Sequence, residues 1–203
     1  MREIAVEPSS LIAPGEIEIP RPEILDMYFV SFAFLAGLGS KVPPIIIARP
    51  SFNYHWDQGV CDRRGMCLEA PIVDSSYWAN RYYDRIRYLK ERGAEFYLFD
   101  GNHRSLAAYF AGRILNAVEL ENDEDLDELR HMRTRGRLVN LPPNLDRASD
   151  LPSLQATFER FCSSRLDDTT TIDNRAHRLM NHNLVDPRLA KYYRVEKWWK
   201  ENI

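Results

Sequence analysis

Long apolar runs are scarce in this chain of 203 residues: the longest, Met27 to Leu38, is soon interrupted by glycine. A helix crossing a bilayer needs about 20 predominantly apolar residues, so no membrane span is expected. The segment Met1-Arg-Glu-Ile-Ala-Val-Glu-Pro lacks the apolar core of a signal peptide. Positive charge is not in excess either. There are 27 Lys and Arg against 30 Asp and Glu, for a net charge of −3 and a pI near 6.0. Binding to a nucleic-acid backbone relies on clustered cations, so this balance argues against a surface built throughout for that purpose. Cysteine is sparse and odd in number (Cys61, Cys67, Cys162), with neither a CxxC nor a Cys/His zinc spacing. Reduced thiols in a cytoplasmic protein are expected, rather than a Cys61–Cys67 disulfide. No Walker-type lysine loop, internal repeat or low-complexity tract is present.

What is present is the composition of a folded chain, with 44% hydrophobic and 11% aromatic residues. Glu3 to Val6 reads as a short strand, and Glu16 to Ile19 alternates as a half-buried strand does. Pro22 sits where a first helical turn tolerates proline, and a helix is expected over Glu23 to Ala36. Val42-Pro-Pro-Ile-Ile-Ile-Ala48 reads as a strand entered through prolines, its three isoleucines implying burial on both faces. Residues 49–74 form an irregular insertion. A second helix is expected from Asp74 or Ser75 to about Arg92, ended by Gly93. Leu115 to Glu121 is another strand, and Asn122 caps an acidic first turn at Asp123, Glu124 and Asp125. Leu138 to Pro152 reads as a linker. Helices are expected over Ser153 to Ser164, Thr171 to Met180 and Pro187 to Lys200. The fold class is α/β (α+β): a mixed sheet with flanking helices over residues 1–137, then a helical extension over 138–203.

The densest chemistry lies in Glu95-Phe-Tyr-Leu-Phe-Asp-Gly-Asn-His-Arg-Ser-Leu-Ala-Ala-Tyr-Phe-Ala-Gly112. An apolar strand ends in Asp100-Gly101 and a helix follows at once. Such a turn sets backbone N–H groups and the positive end of a helix dipole beside Asp100, Asn102, His103 and Arg104. An acid, a base and a fixed cation at a helix start suit phosphate, with Arg104 as bidentate partner and His103 as donor, acid or base.

The order strand, helix, Pro-Pro-led strand, strand, Asp100-Gly-Asn-His-Arg104, helix ending at Gly112, strand Leu115-Asn-Ala-Val-Glu-Leu120 resembles the ParB/sulfiredoxin superfamily. The likeness extends over residues 3–125 and is nearest to its stand-alone, kinase-like branch. It implies a turn that holds nucleotide phosphates. Gly101 would allow close backbone approach, His103 and Arg104 would contact phosphate, and Asp100 would orient the turn or a metal. Sulfiredoxins need a reactive cysteine where this chain has Asn102, which argues against that sulfur chemistry. The partition proteins of the superfamily carry Gly-Glu-Arg-Arg at the turn, where this chain has Gly101-Asn-His-Arg104.

The expectation is therefore a phosphotransferase or nucleotide hydrolase that uses ATP, ADP or CTP with Mg²⁺ and acts on a small-molecule acceptor. Asp100, His103 and Arg104 are the catalytic candidates. Gly101, Asn102, His103, Arg104, Ser105 and Arg49 are the nucleotide-binding candidates, Arg49 because it directly follows the isoleucine strand. Glu23 and Asp26 are carboxylates that could activate an acceptor, although a solvated helix face accounts for both. In the insertion, Asn53, His55, Trp56, Asp57, Arg63 and Arg64 suit either a lid over a ligand or a plain surface excursion. The alternative function is a partition-like DNA-binding module using the basic cluster Arg130 to Arg137, with a nuclease as a third reading. The acidic run before that cluster can neutralise it locally. Asp173 and His177 are spaced to pair. Trp198, Trp199, Tyr192 and Tyr193 suit core packing or a homodimer contact.

Overall fold

The structure is a computed structural model and describes residues 1–13, 21–34, 42–50, 75–134, 143–163 and 166–193. Six strands form one mixed sheet: β1 (Arg2–Val6), β2 (Leu11–Ala13), β3 (Ile45–Ala48), β4 (Phe96–Asp100), β5 (Leu115–Glu119) and β6 (Thr170–Thr171). Their spatial order is β1-β5-β3-β4-β2-β6. The pairs β3/β5 and β2/β4 are parallel, whereas β1/β5, β3/β4 and β2/β6 are antiparallel. The α/β class with a mixed sheet is thus as expected.

Helices cover both faces. They are α1 (Pro22–Phe34), α2 (Ser75–Lys90), α3 (Asn102–Phe110), α4 (Asp123–Thr134), α5 (Pro143–Arg147), α6 (Leu151–Ser163) and α7 (Ile172–Asn181), and residues 187–193 are also helical. Strand alternation divides the interior. Ile45, Ile47, Phe96, Leu98, Leu115 and Ala117 pack with α1, α3 and α7. Ile46, Ala48, Tyr97, Phe99 and Val118 pack with α2, α4, α5 and α6. The three consecutive isoleucines are buried on two faces, as their run implied.

Local signals placed most boundaries. Asn122 Oδ1 accepts from the Asp125 amide at 2.9 Å and caps α4. Gly93 and Gly112 follow α2 and α3 with φ of 88° and 61°. The helix after the turn begins at Asn102, three residues before the Ser105 start that its sequence suggested, because Gly101 itself occupies the N-cap. The strand expected over Glu16 to Ile19 and most of the 49–74 insertion lie outside the described residues, as does residue 194 onward.

The stretch Leu138 to Pro152 contains α5 and the start of α6, and Leu145, Leu151 and Leu154 are buried in the core that covers β4. Further along, β6 extends the sheet and α7 lies over the opposite face. The C-terminal third therefore supplies members to both cores. Phe158 is the clearest case, its ring 4.7 Å from Tyr97 and 5.2 Å from Phe99. Replacing Phe158 with alanine is expected to cost about 3–5 kcal/mol in urea denaturation. A loss below about 1 kcal/mol would mean that α6 is not a working part of the core.

Candidate functional site

Gly101 follows β4 and caps α3 in left-handed backbone, φ 110°. A Cβ there would overlap Ile45 Cγ2. Only glycine lets the turn sit on β3 this closely. The reason for the glycine is therefore close strand packing as well as turn geometry.

Arg104, in the first turn of α3, is 8% exposed and points back under the turn. Its Nη1 donates to the carbonyls of Pro43 and Pro44 at 2.9 and 2.6 Å, and its Nη2 donates to Asp100 Oδ2 at 2.5 Å. Prolines bring carbonyls but no N–H, so the lead-in to β3 has acceptors that need an outside donor. Arg104 supplies it. The guanidinium expected to clamp phosphate is, in this arrangement, committed to the protein.

His103 is half-buried in the first turn of α3, and its Nε2 accepts the backbone N–H of Arg21 at 3.0 Å. A backbone amide can only donate, so Nε2 is the acceptor in this bond. His103 Nε2 is thereby occupied by the protein backbone. Arg21 immediately precedes α1, so this bond ties the starts of α1 and α3, which pack along each other. Two positive helix ends thus meet at the turn. Asn102 is half-buried beside them. Ser105 has no exposed surface, its amide donates to the Gly101 carbonyl at 2.8 Å, and its Oγ faces packing rather than solvent.

Arg49 is not brought to this turn. Antiparallel pairing sets Ile46 beside Asp100 and Ala48 beside Tyr97, so the chain leaving β3 runs away from the turn. About three residues of strand, roughly 10 Å, separate the two levels. Arg49 instead lies over the Phe96 ring at 4.8 Å, and its Nε donates to Glu119 Oε1 at 2.9 Å. It borders a cleft of about 580 Å³ at the carboxyl ends of the parallel strands β3 and β5, with Glu119, Glu121, Asp123, Leu151 and Gln155. Glu119 is 1% exposed and Gln155 donates to the Arg49 carbonyl at 3.0 Å. Sequence reasoning passed over both. The available signal for Glu119 was an acid closing a mostly apolar strand, whereas nothing local marked Gln155.

The remaining candidates separate as follows. Glu23 is exposed in the first turn of α1, next to the start tied to His103, whereas Asp26 lies 3.7 Å from Arg188. Arg130 is engaged by Asp127 and by the carbonyls of Leu145 and Ala148. Arg135 and Arg137 lie outside the described residues, as do Asn53, His55, Trp56, Asp57, Arg63, Arg64, Trp198 and Trp199. His177 meets Tyr109 and Tyr193 at 3.4 and 3.3 Å rather than pairing with Asp173. Tyr192 packs edge-on against Phe29 and Tyr193 stacks on Tyr109, as their core-packing reading required. Among the described residues, no helix is long and apolar enough to cross a membrane.

Comparison with known proteins finds no match, whether to a family model, a curated protein or a solved structure. Function must therefore be argued from residues and geometry.

Two substitutions test the turn. Arg104→Ala strands the Asp100 carboxylate and two carbonyls, and a loss of about 3–5 kcal/mol is expected by chemical denaturation. Gly101→Ala combines backbone strain with overlap on Ile45, and is expected to cost at least about 2 kcal/mol. Stability unchanged in both would contradict the described turn.

Proposed function

We propose that this chain binds a nucleoside di- or triphosphate through the turn at the start of α3, and transfers or hydrolyses a phosphoryl group on a small molecule. The observation that carries this reading is the meeting of two helix starts at a glycine N-cap, where α3 has no capping side chain. Amide donors and two positive dipole ends form an anion-binding setting that does not depend on a guanidinium. The Asp100-Gly-Asn-His-Arg104 pattern, with its resemblance to the ParB/sulfiredoxin superfamily, supports the same assignment.

The geometry refines which residues would act. The first-turn backbone of Asn102, His103 and Arg104 would receive phosphate oxygens, with the His103 ring beside them. Arg104 acts as a positioning residue that fixes Asp100 and the turn. Glu23, exposed at the start of α1, is the carboxylate best placed to receive a proton from an acceptor hydroxyl.

Mg²⁺ fits in one way. Among the described residues no three His, Cys, Asp or Glu side chains cluster as ligands. However, Mg²⁺ held mainly by phosphate oxygens and water needs only one or two carboxylates. Asp100, with Oδ2 taken by Arg104, would offer Oδ1. The ion would neutralise charge on the transferred group.

Calorimetry with ATP, ADP and CTP tests the reading on the wild-type chain and on Asn102→Asp. A carboxylate in the first turn favours the helix dipole but repels phosphate. The expected result is measurable binding of at least one nucleotide, weakened at least about tenfold in Asn102→Asp with thermal stability retained. No binding of any of the three by the folded wild-type chain would overturn it.

A further inference from the structure

On the sheet face opposite α3, a group able to carry charge lies fully enclosed. Glu159 of α6 has no exposed surface. Its Oε1 accepts from the Tyr97 hydroxyl at 3.0 Å, and the Tyr97 and Tyr82 hydroxyls are 2.5 Å apart. Its Oε2 is buried and has no hydrogen-bond partner among the described residues. The titratable groups that face it among the described residues are Tyr97 from β4, Tyr82 from α2 and Cys162 from its own helix. None is a cation. Arg85 of α2 is turned to the Thr169 carbonyl, and Arg49 to Glu119.

Among the described residues, a carboxylate in that position would have one hydroxyl donor and no counter-charge. Burial accordingly raises Glu159 from the usual carboxylate range to about 7, and the Tyr97 hydrogen bond, which favours the charged form, offsets part of this. The same helix reaches the Arg49 cleft. Gln155, one turn before Glu159, donates to the Arg49 carbonyl, and Leu151 and Pro152 line the cleft wall.

We propose that Glu159 is a proton latch on α6: neutral, it allows the helix to dock on β4 and close the wall beside Arg49; ionised, it releases that helix. This device stands independently of the nucleotide reading.

The sign follows from linkage. A glutamate in water gives up its proton near pH 4.5, whereas docked Glu159 keeps it to about pH 7. Below that window both states are neutral and docking is strongest. Across the window the open state loses a proton that the docked state retains, so docking weakens as pH rises, by at most about tenfold per pH unit. Above it both states are charged and the effect levels off.

Cys162 gives a direct readout. It lies three residues beyond Glu159 and is fully buried, so a small disulfide reagent reaches it only when α6 opens. In a Cys61→Ser, Cys67→Ser background, the Cys162 modification rate is followed from pH 5 to pH 8 with Glu159 intact and with Glu159→Gln. Glutamine keeps the shape and the acceptor for Tyr97 but cannot ionise. Dividing the rate with Glu159 intact by the E159Q rate at each pH removes the thiol's own titration. That ratio is expected to rise at least about tenfold across this range. A ratio that stays flat overturns the latch. If E159Q does not fold, hydrogen exchange on the wild-type chain decides the matter. After correction for intrinsic rates, α6 amides should lose protection relative to α7 amides as pH rises, and parallel loss in both helices overturns the proposal.

Discussion

The Arg104 guanidinium joins three parts of the fold at one point. It reaches from α3 to the carboxylate that ends β4 and to the two proline carbonyls that precede β3. Each contact answers a local deficit. The Pro43-Pro44 lead-in has acceptors without donors, Asp100 is a charge at the rim of an apolar strand, and α3 starts on a glycine with no side chain to cap it. One planar group with five donors meets the first two needs and holds the third in position. Ile45 leaves no room for a Cβ at Gly101, so the strand, the turn and the helix fit in a single way.

The sheet separates two kinds of polar chemistry. On one side, the starts of α1 and α3 are linked through Arg21 and His103, and positive dipole ends face the turn. At the other end of the same strands, Arg49 is neutralised by Glu119 beside a cleft bounded by α4 and α6. The antiparallel relation of β3 to β4 keeps these regions apart. Arg49 therefore lies at the opposite end of β4 from the turn.

The second core is held differently from the first. Besides its aliphatic and aromatic side chains, α6 carries a carboxyl into a tyrosine pair. Its neutrality is a condition of tight docking, since no described cation compensates it. This makes α6 more responsive to its surroundings than a purely apolar helix would be, and it is the helix that borders the cleft.

Much of the local architecture was legible in the chain. Alternation divided Ile45, Ile46 and Ile47 between two faces, Asn122 marked the start of α4, and Asp100-Gly101 marked a strand-to-helix turn, because periodicity, caps and left-handed glycines act over a few residues. The contribution of α5 and α6 to the core was hidden by prolines that looked like a linker. Only tertiary structure decided what the functional candidates could touch. Arg49 was placed with the turn because it directly follows the isoleucine strand, yet strand direction and register depend on partners far away in the chain. Arg104 was read as a ligand-binding cation, but the distant proline carbonyls engaged it. Glu159 carried no sequence signal at all, since an acid on an amphipathic helix looks solvated until the packing around it is known.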